Sequence, residues 1–184
     1  MTKTQIKFTT IRITVVALFI ALTIAMCSFG IPVPGGHLYL VDVIIVTAAI
    51  LLNPVEAFIV GGIGSFLGDL IFYPTPMFVS LVTHGVQAVV ISVFAHYILK
   101  KHPKISSGIG VSIGAIIMVA GYTFGKAFIY STVEYAILKL PYECAQGILG
   151  AVFGMLLVYR AGLKKRYNNI IGNQEANLHE IKKV

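Results

Sequence analysis

Apolar residues fall in long blocks, divided by short stretches of proline, glycine or charge. A block of about 20 apolar residues is what a bilayer-spanning helix requires. The first block predicts a helix from Thr10 to Ser28. The following Gly30-Ile-Pro-Val-Pro-Gly-Gly36 forbids regular helix, because two prolines lack amide donors and three glycines favour turns. A short second helix is expected from Leu38 to Leu52. Asn53, Pro54 and Glu56 supply an N-cap, a first helical position and a capping-box partner for a third helix reaching Phe72. Tyr73-Pro-Thr-Pro76 turns the chain into a fourth helix, Met77 to Leu99. A basic loop then leads to a fifth, Gly108 to Tyr135, and a sixth, Pro141 to Tyr159. The expectation is an all-α integral membrane protein of six transmembrane helices. Residues 1–165 form a single membrane domain and residues 166–184 a polar cytoplasmic tail.

Composition agrees. The 184 residues are 57% hydrophobic and only 11% charged, less than half the charge of a soluble domain, and the mean hydropathy is +0.88. Lipid is the solvent that suits such a surface. The net charge of +7 does not point to nucleic acid, because the basic residues lie between the apolar blocks. With the N-terminus inside, the inner segments hold Lys3, Lys7, Arg12, Lys100, Lys101, Lys104, Arg160, Lys164, Lys165, Arg166, Lys182 and Lys183. The outer segments hold Lys139 alone. This asymmetry puts both termini in the cytoplasm and makes the helix number even. The run after Arg12 continues into further spans, so it reads as a retained helix rather than a cleaved signal. Cys27 and Cys144 both lie in apolar surroundings and read as buried free thiols.

Ionisable groups inside spans cost roughly 2.5–3.5 kcal/mol each on insertion scales, so each is a candidate for function. Here they collect in the outer halves: Asp42, Asp69, His84, Lys126, Glu134 and Glu143. Tyr122, Lys126, Tyr130 and Glu134 recur every four residues and form one stripe on the fifth helix. Ser80, His84 and Gln87 form another on the fourth, and Glu143 with Gln146 a third on the sixth. A channel or proton relay would spread polar groups along its whole length, whereas an outward-open pocket concentrates them. Polar stripes with aromatic rings among them suit a flat heterocycle, stacked on its faces and hydrogen-bonded at its edge. With no tryptophan in the chain, stacking falls to Tyr122, Tyr130 or Tyr39. Plainer readings also fit: Lys126 with Glu134 as an internal ion pair, His84 as a structural histidine, Glu143 as first-turn decoration, and Asp42 and Asp69 as groups that cap and brace loops. An intramembrane enzyme using His84 with Glu134 or Glu143, and a ligand-free scaffold subunit, are the alternatives in other classes.

Small residues have a separate role. Gly61, Gly62, Gly64 and Gly68, and Gly147, Gly150 and Gly154, permit close helix packing, while Ala17, Ala21 and Ala25 make a flat ridge on the first helix. Gly121 to Ala127 imitates a phosphate loop but is one residue short and lacks the magnesium-binding hydroxyl. Neither metal-ligand spacing nor a nucleophile motif stands out, and no cofactor is expected in this chain.

The alanine ridge, the Gly30–Gly36 loop leading to Leu40-Val-Asp42, and Gly61-Gly-Ile-Gly-Ser-Phe-Leu-Gly-Asp69, in that order, resemble the substrate-binding S components of energy-coupling factor vitamin transporters. The resemblance covers residues 8 to 165. It implies that Ala17, Ala21 and Ala25 face a transmembrane coupling (T) component with two cytoplasmic ABC ATPases below it. It also implies that the loop after the first helix covers a vitamin held among the fourth, fifth and sixth helices, and that the protein topples in a bacterial cell membrane to release it. Among subgroups the chain is most similar to those for hydroxymethylpyrimidine, a thiamin precursor, with pyridoxine-type vitamers next. The site residues implied are Tyr39, His84, Gln87, Tyr122, Lys126, Tyr130, Glu134, Glu143 and Gln146.

Overall fold

A computed structural model describes residues 10–181, with side chains for residues 10–173. Lys3, Lys7, Lys182 and Lys183, which entered the charge count, lie outside the described residues. The chain is mostly helical. Helix α1 (Thr10–Cys27) leads into a two-stranded antiparallel hairpin, β1 (Ile31–Val33) and β2 (Gly36–Leu38), with Ile31 opposite Leu38. Then follow α2 (Val41–Leu51), α3 (Pro54–Phe72), α4 (Met77–His96), α5 (Pro103–Tyr130), α6 (Val133–Arg160) and α7 (Leu163–Ile181). Among the described residues, α1, α3, α4, α5 and α6 are long and apolar enough to cross a membrane. Helix α2 is shorter: 11 residues rise about 16 Å, half of a hydrocarbon core about 30 Å thick. Yet α2 is the most buried element, with nine of its residues inaccessible. It packs against α4 and α6 and supplies Ile45, Val46, Ala49 and Ile50 to the core.

The hairpin answers the expectation of an irregular segment. Gly35 and Gly36 have φ of +82° and +147°, a backbone region that L side chains rarely adopt, and the chain reverses there within two residues. The start of α3 forms as its sequence dictates. Asn53 Oδ1 accepts from the amides of Val55 and Glu56, both at 3.0 Å, and Glu56 Oε2 accepts from the Asn53 amide at 3.3 Å. Arg12 reaches across from α1 with two bonds to the same carboxylate, Nε to Oε1 at 2.9 Å and Nη2 to Oε2 at 3.0 Å. A buried Glu56 is thus held by both a helix start and a cation from a neighbouring helix.

The glycines of α3 and α6 act as close-packing points. A Cβ on Gly68 would strike Cys27 of α1, and one on Gly61 the backbone of His84 in α4. One on Gly150 would strike Asp42 of α2. Three single π turns, at Ile59–Ile63, Lys126–Tyr130 and Leu156–Arg160, interrupt α3, α5 and α6, a distortion often found at functional sites.

Helix α2 begins at Val41 rather than Leu38 and α5 at Pro103 rather than Gly108, and the α5–α6 junction differs most. Helix α5 stops at Tyr130, and α6 begins at Val133 rather than Pro141, which sits inside it. Ser131 and Thr132 break the chain, and the Thr132 hydroxyl accepts from the Tyr135 amide as an N-cap. Glu134 therefore belongs to the first turn of α6 and leaves the α5 stripe. The polar tail is largely α7. Both cysteines are free, but Cys144 is exposed rather than buried.

The Arg12 clamp is open to test. Arg12→Met leaves the Glu56 carboxylate buried without its cation, and the folded state should lose about 3 kcal/mol. Denaturant or thermal unfolding of the purified chain in detergent would read the loss.

A polar cavity beneath the hairpin

The expected polar stripes converge on one cavity at the hairpin end of the bundle. Asp42 is its structural centre. It is the second residue of α2 and 1% exposed. Its Oδ1 accepts from Gln87 Nε2 of α4 at 2.8 Å, and its Oδ2 from Gln146 Nε2 of α6 at 2.7 Å. Gln87 Oε1 lies 2.7 Å from His84 Nδ1, and Gln146 Oε1 accepts from the Tyr39 amide at 3.0 Å. One carboxylate thereby ties α2, α4, α6 and the exit of the hairpin together. Gly150 makes this possible by letting α6 approach Asp42 closely.

A second chain of bonds runs along another wall. The Ser80 hydroxyl donates to Asp69 Oδ2. Its single proton is thereby spent, so Tyr122 OH, 2.5 Å away, donates to the Ser80 oxygen. Tyr122 also meets the His84 ring edge-on, with 5.2 Å between centroids.

The third wall carries charge. Thr123 Oγ1 donates to Glu143 Oε2 at 3.1 Å, and Lys139 Nζ stands 3.5 Å from Glu143 Oε1. Oε1 itself is buried and, among the described residues, has no hydrogen-bond donor; the same holds for Ser65 Oγ. Both residues line the cavity. Leaving such a group unsatisfied costs about 1–3 kcal/mol, so these two atoms mark where a solute would gain most.

The hairpin forms the roof. Lys126 Nζ donates to the Gly35 carbonyl at 2.8 Å and lies 5.5 Å from the centre of the Tyr130 ring. His37 stands between Tyr39 and Tyr73, with ring centroids 6.1 and 6.3 Å away. Burial, and then the neighbouring Asp69, push the Tyr39 phenol up to about 12, so it remains a neutral donor at neutral pH. The enclosed free volume is about 40 Å³. A water needs roughly 10–15 Å³ on this measure, so the space holds about three waters.

Of the residues singled out in the sequence, Tyr39, His84, Tyr122, Lys126, Tyr130, Glu143 and Gln146 line this cavity, and Gln87 backs it through His84. Glu134 does not join them: it is exposed in the first turn of α6. The pairing of His84 with Glu134 is therefore not assembled. Asp42 is no loop brace but the buried hub, and Asp69 faces the cavity rather than a turn. Lys139, read as a residue of an outer loop, is buried in α6 beside Glu143. The Ser131-Thr132 cap with Glu134 in the following turn was the local signal for this earlier helix start. His37, Ser65 and Tyr73 also line the cavity, and no spacing pattern pointed to them. Ala17, Ala21 and Ala25 lie exposed along α1, which buries only Thr23 and Cys27.

Fold and cavity together define a helical membrane protein with a small polar-lined cavity at one end of its bundle. Residues 7–165 match the family described as the ECF-type riboflavin transporter, S component. The chain is 30% identical over 151 residues to the thiamine precursor transporter HmpT of Lactococcus lactis subsp. cremoris (strain MG1363), covering 79% of this chain and 84% of that protein. It is also 30% identical over 153 residues to an uncharacterized protein of Pyrococcus woesei, covering 82% of this chain and 99% of that one. The chain belongs to the S components of ECF-type vitamin transporters.

The roof bond gives a direct test. Lys126→Met removes the donor to Gly35, so backbone amides of residues 31–38 should exchange with deuterium several-fold faster. Exchange in α4 should stay unchanged.

Proposed function

We propose that the chain is the substrate-capture subunit of an ECF-type importer. It takes a small vitamin or vitamin precursor from the outer face into the cavity beneath the hairpin and delivers it inward when coupled to a T component and two ABC ATPases. The observation that carries this reading is the enclosed cavity whose wall includes two buried polar atoms that have no hydrogen-bond partner among the described residues, Ser65 Oγ and Glu143 Oε1, the latter approached by the Lys139 ammonium at 3.5 Å. Hydroxymethylpyrimidine is the favoured solute, with pyridoxine-type vitamers next. The Lactococcus lactis relative is named for a thiamine precursor, and a free volume of only about 40 Å³ favours the smaller solutes of the vitamin class. In this reading the tyrosines stack on the ring while Glu143 and His84 meet its edge.

The orientation that goes with this function has six spans, α2 among them, and both termini in the cytoplasm. The basic residues Arg160, Lys164, Lys165 and Arg166 then lie on the inner side. ATP hydrolysis belongs to the partner subunits. The exposed ridge Ala17, Ala21 and Ala25 is the surface that meets the T component, where small side chains let another helix approach closely.

The binding claim is tested by calorimetry of the purified chain against a panel of B-group vitamins and precursors. Glu143→Gln should weaken the best ligand by about tenfold, the loss expected when one buried hydrogen bond is impaired; it also leaves the buried Lys139 without its carboxylate, so the melting temperature should fall and binding is compared below it. A panel without any binder would overturn the reading. Ala21→Leu should bind as wild type does but fail to co-purify with the T component; normal assembly would place the docking surface elsewhere.

A further inference from the structure

The network around Asp42 has a direction, and the direction sets the chemistry of the cavity. A carboxylate only accepts hydrogen bonds. Gln87 and Gln146 must therefore turn their NH2 groups toward Asp42, as the 2.8 and 2.7 Å contacts have them. Their carbonyl oxygens then point away. That of Gln146 receives the Tyr39 amide. That of Gln87 lies 2.7 Å from His84 Nδ1, and an amide oxygen cannot donate. The proton must therefore sit on Nδ1. Asp42 Oδ1 also stands 3.8 Å from Nδ1, on the side where the proton lies; when the ring is neutral, that proton leaves a lone pair, and no hydrogen, on Nε2. His84 lines the cavity, and Nδ1 is already engaged, so Nε2 is the ring atom left to meet a solute.

We infer that Asp42 is a specificity-determining positioning residue. Acting through Gln87, it fixes His84 with its proton on Nδ1, so the cavity offers Nε2 as an acceptor and selects a solute with a hydrogen-bond donor on the facing edge. An amino-substituted heterocycle qualifies, and one with a carbonyl at that place does not. The two other cavity carboxylates carry the same sign. Glu143 Oε1, ion-paired with Lys139 at 3.5 Å, has no hydrogen bond among the described residues and can accept one, and Asp69 is an acceptor already engaged by Ser80. The nearby cations are committed, Lys126 to the Gly35 carbonyl and Lys139 to Glu143. The selection of solute rests on the proposed binding function. The state of His84 does not, and it can be read without any solute.

The experiment is nitrogen-15 NMR of the full chain, histidine-labelled and purified in detergent, with His84→Asn used to assign the signal. The wild type should show a neutral ring protonated on Nδ1. A proton on Nε2, or on both nitrogens, overturns the inference. Asp42→Asn removes the one-way constraint, and Gln87→Leu cuts the relay while leaving Asp42 in place. In either variant that keeps its melting transition, the Nε2-protonated form should appear, and an unchanged spectrum in both would refute the role of Asp42. Binding is then compared for hydroxymethylpyrimidine and for the analogue with a carbonyl in place of its amino group. The wild type should prefer the amino compound by about tenfold or more, the discrimination of one misdirected buried hydrogen bond; equal binding refutes the selection. If neither compound binds while His84 is protonated on Nδ1, the proposed solute is wrong and the assignment of Asp42 to His84 stands.

Discussion

The Asp42 carboxylate, buried between two glutamine amides, is the constraint from which the rest of the site follows. A charge at that depth is tolerable only when its oxygens are satisfied, and the two donors come from helices that are remote in sequence. Gln87 and Gln146 must therefore be brought to α2 together, which fixes the spacing of α4 and α6 around it. Gly150 permits the approach by leaving no Cβ in the way. The hairpin is joined to the same centre through Tyr39 and Gln146. Helices and roof thus share one polar anchor, and a disturbance of any of them reaches the others through hydrogen bonds rather than through apolar contact alone.

The opposite end of the molecule solves a similar problem differently. Glu56 is also wholly buried, but its partners are a guanidinium and the first turn of its own helix. Between these two polar layers lies an aliphatic one, built from Ile45, Ala49, Ile50, Leu52, Val60 and Ile91. The hydroxyls nearby are turned to backbone carbonyls: Thr47 donates to Val43 and Ser92 to Leu52. The division explains how so small a chain holds a stable site, since the apolar layer supplies cohesion while the ends supply orientation.

What could be read in the sequence was local. The capping box at Asn53, Pro54 and Glu56 depends on residues three apart, and it formed as written. The small-residue contacts of α3 and α6 and the polar stripes of α4 and α5 follow from helical spacing alone. The failures were of two kinds. Pro141 outweighed the weaker cap at Thr132, because proline is a strong helix-start signal and only the tertiary structure shows that this one is accommodated within a helix. That single choice misplaced Glu134 and hid Lys139. Asp42 was misjudged for another reason. Its neighbours in sequence are a loop and a helix start, whereas its partners lie 45 and 104 residues away, and helical periodicity carries no information about such distances.

The aliphatic layer also has an electrical meaning. Thr47 and Ser92, hydroxyls within it, spend their protons on backbone carbonyls, so they offer a proton no free donor to pass along between the cavity and the Arg12–Glu56 end.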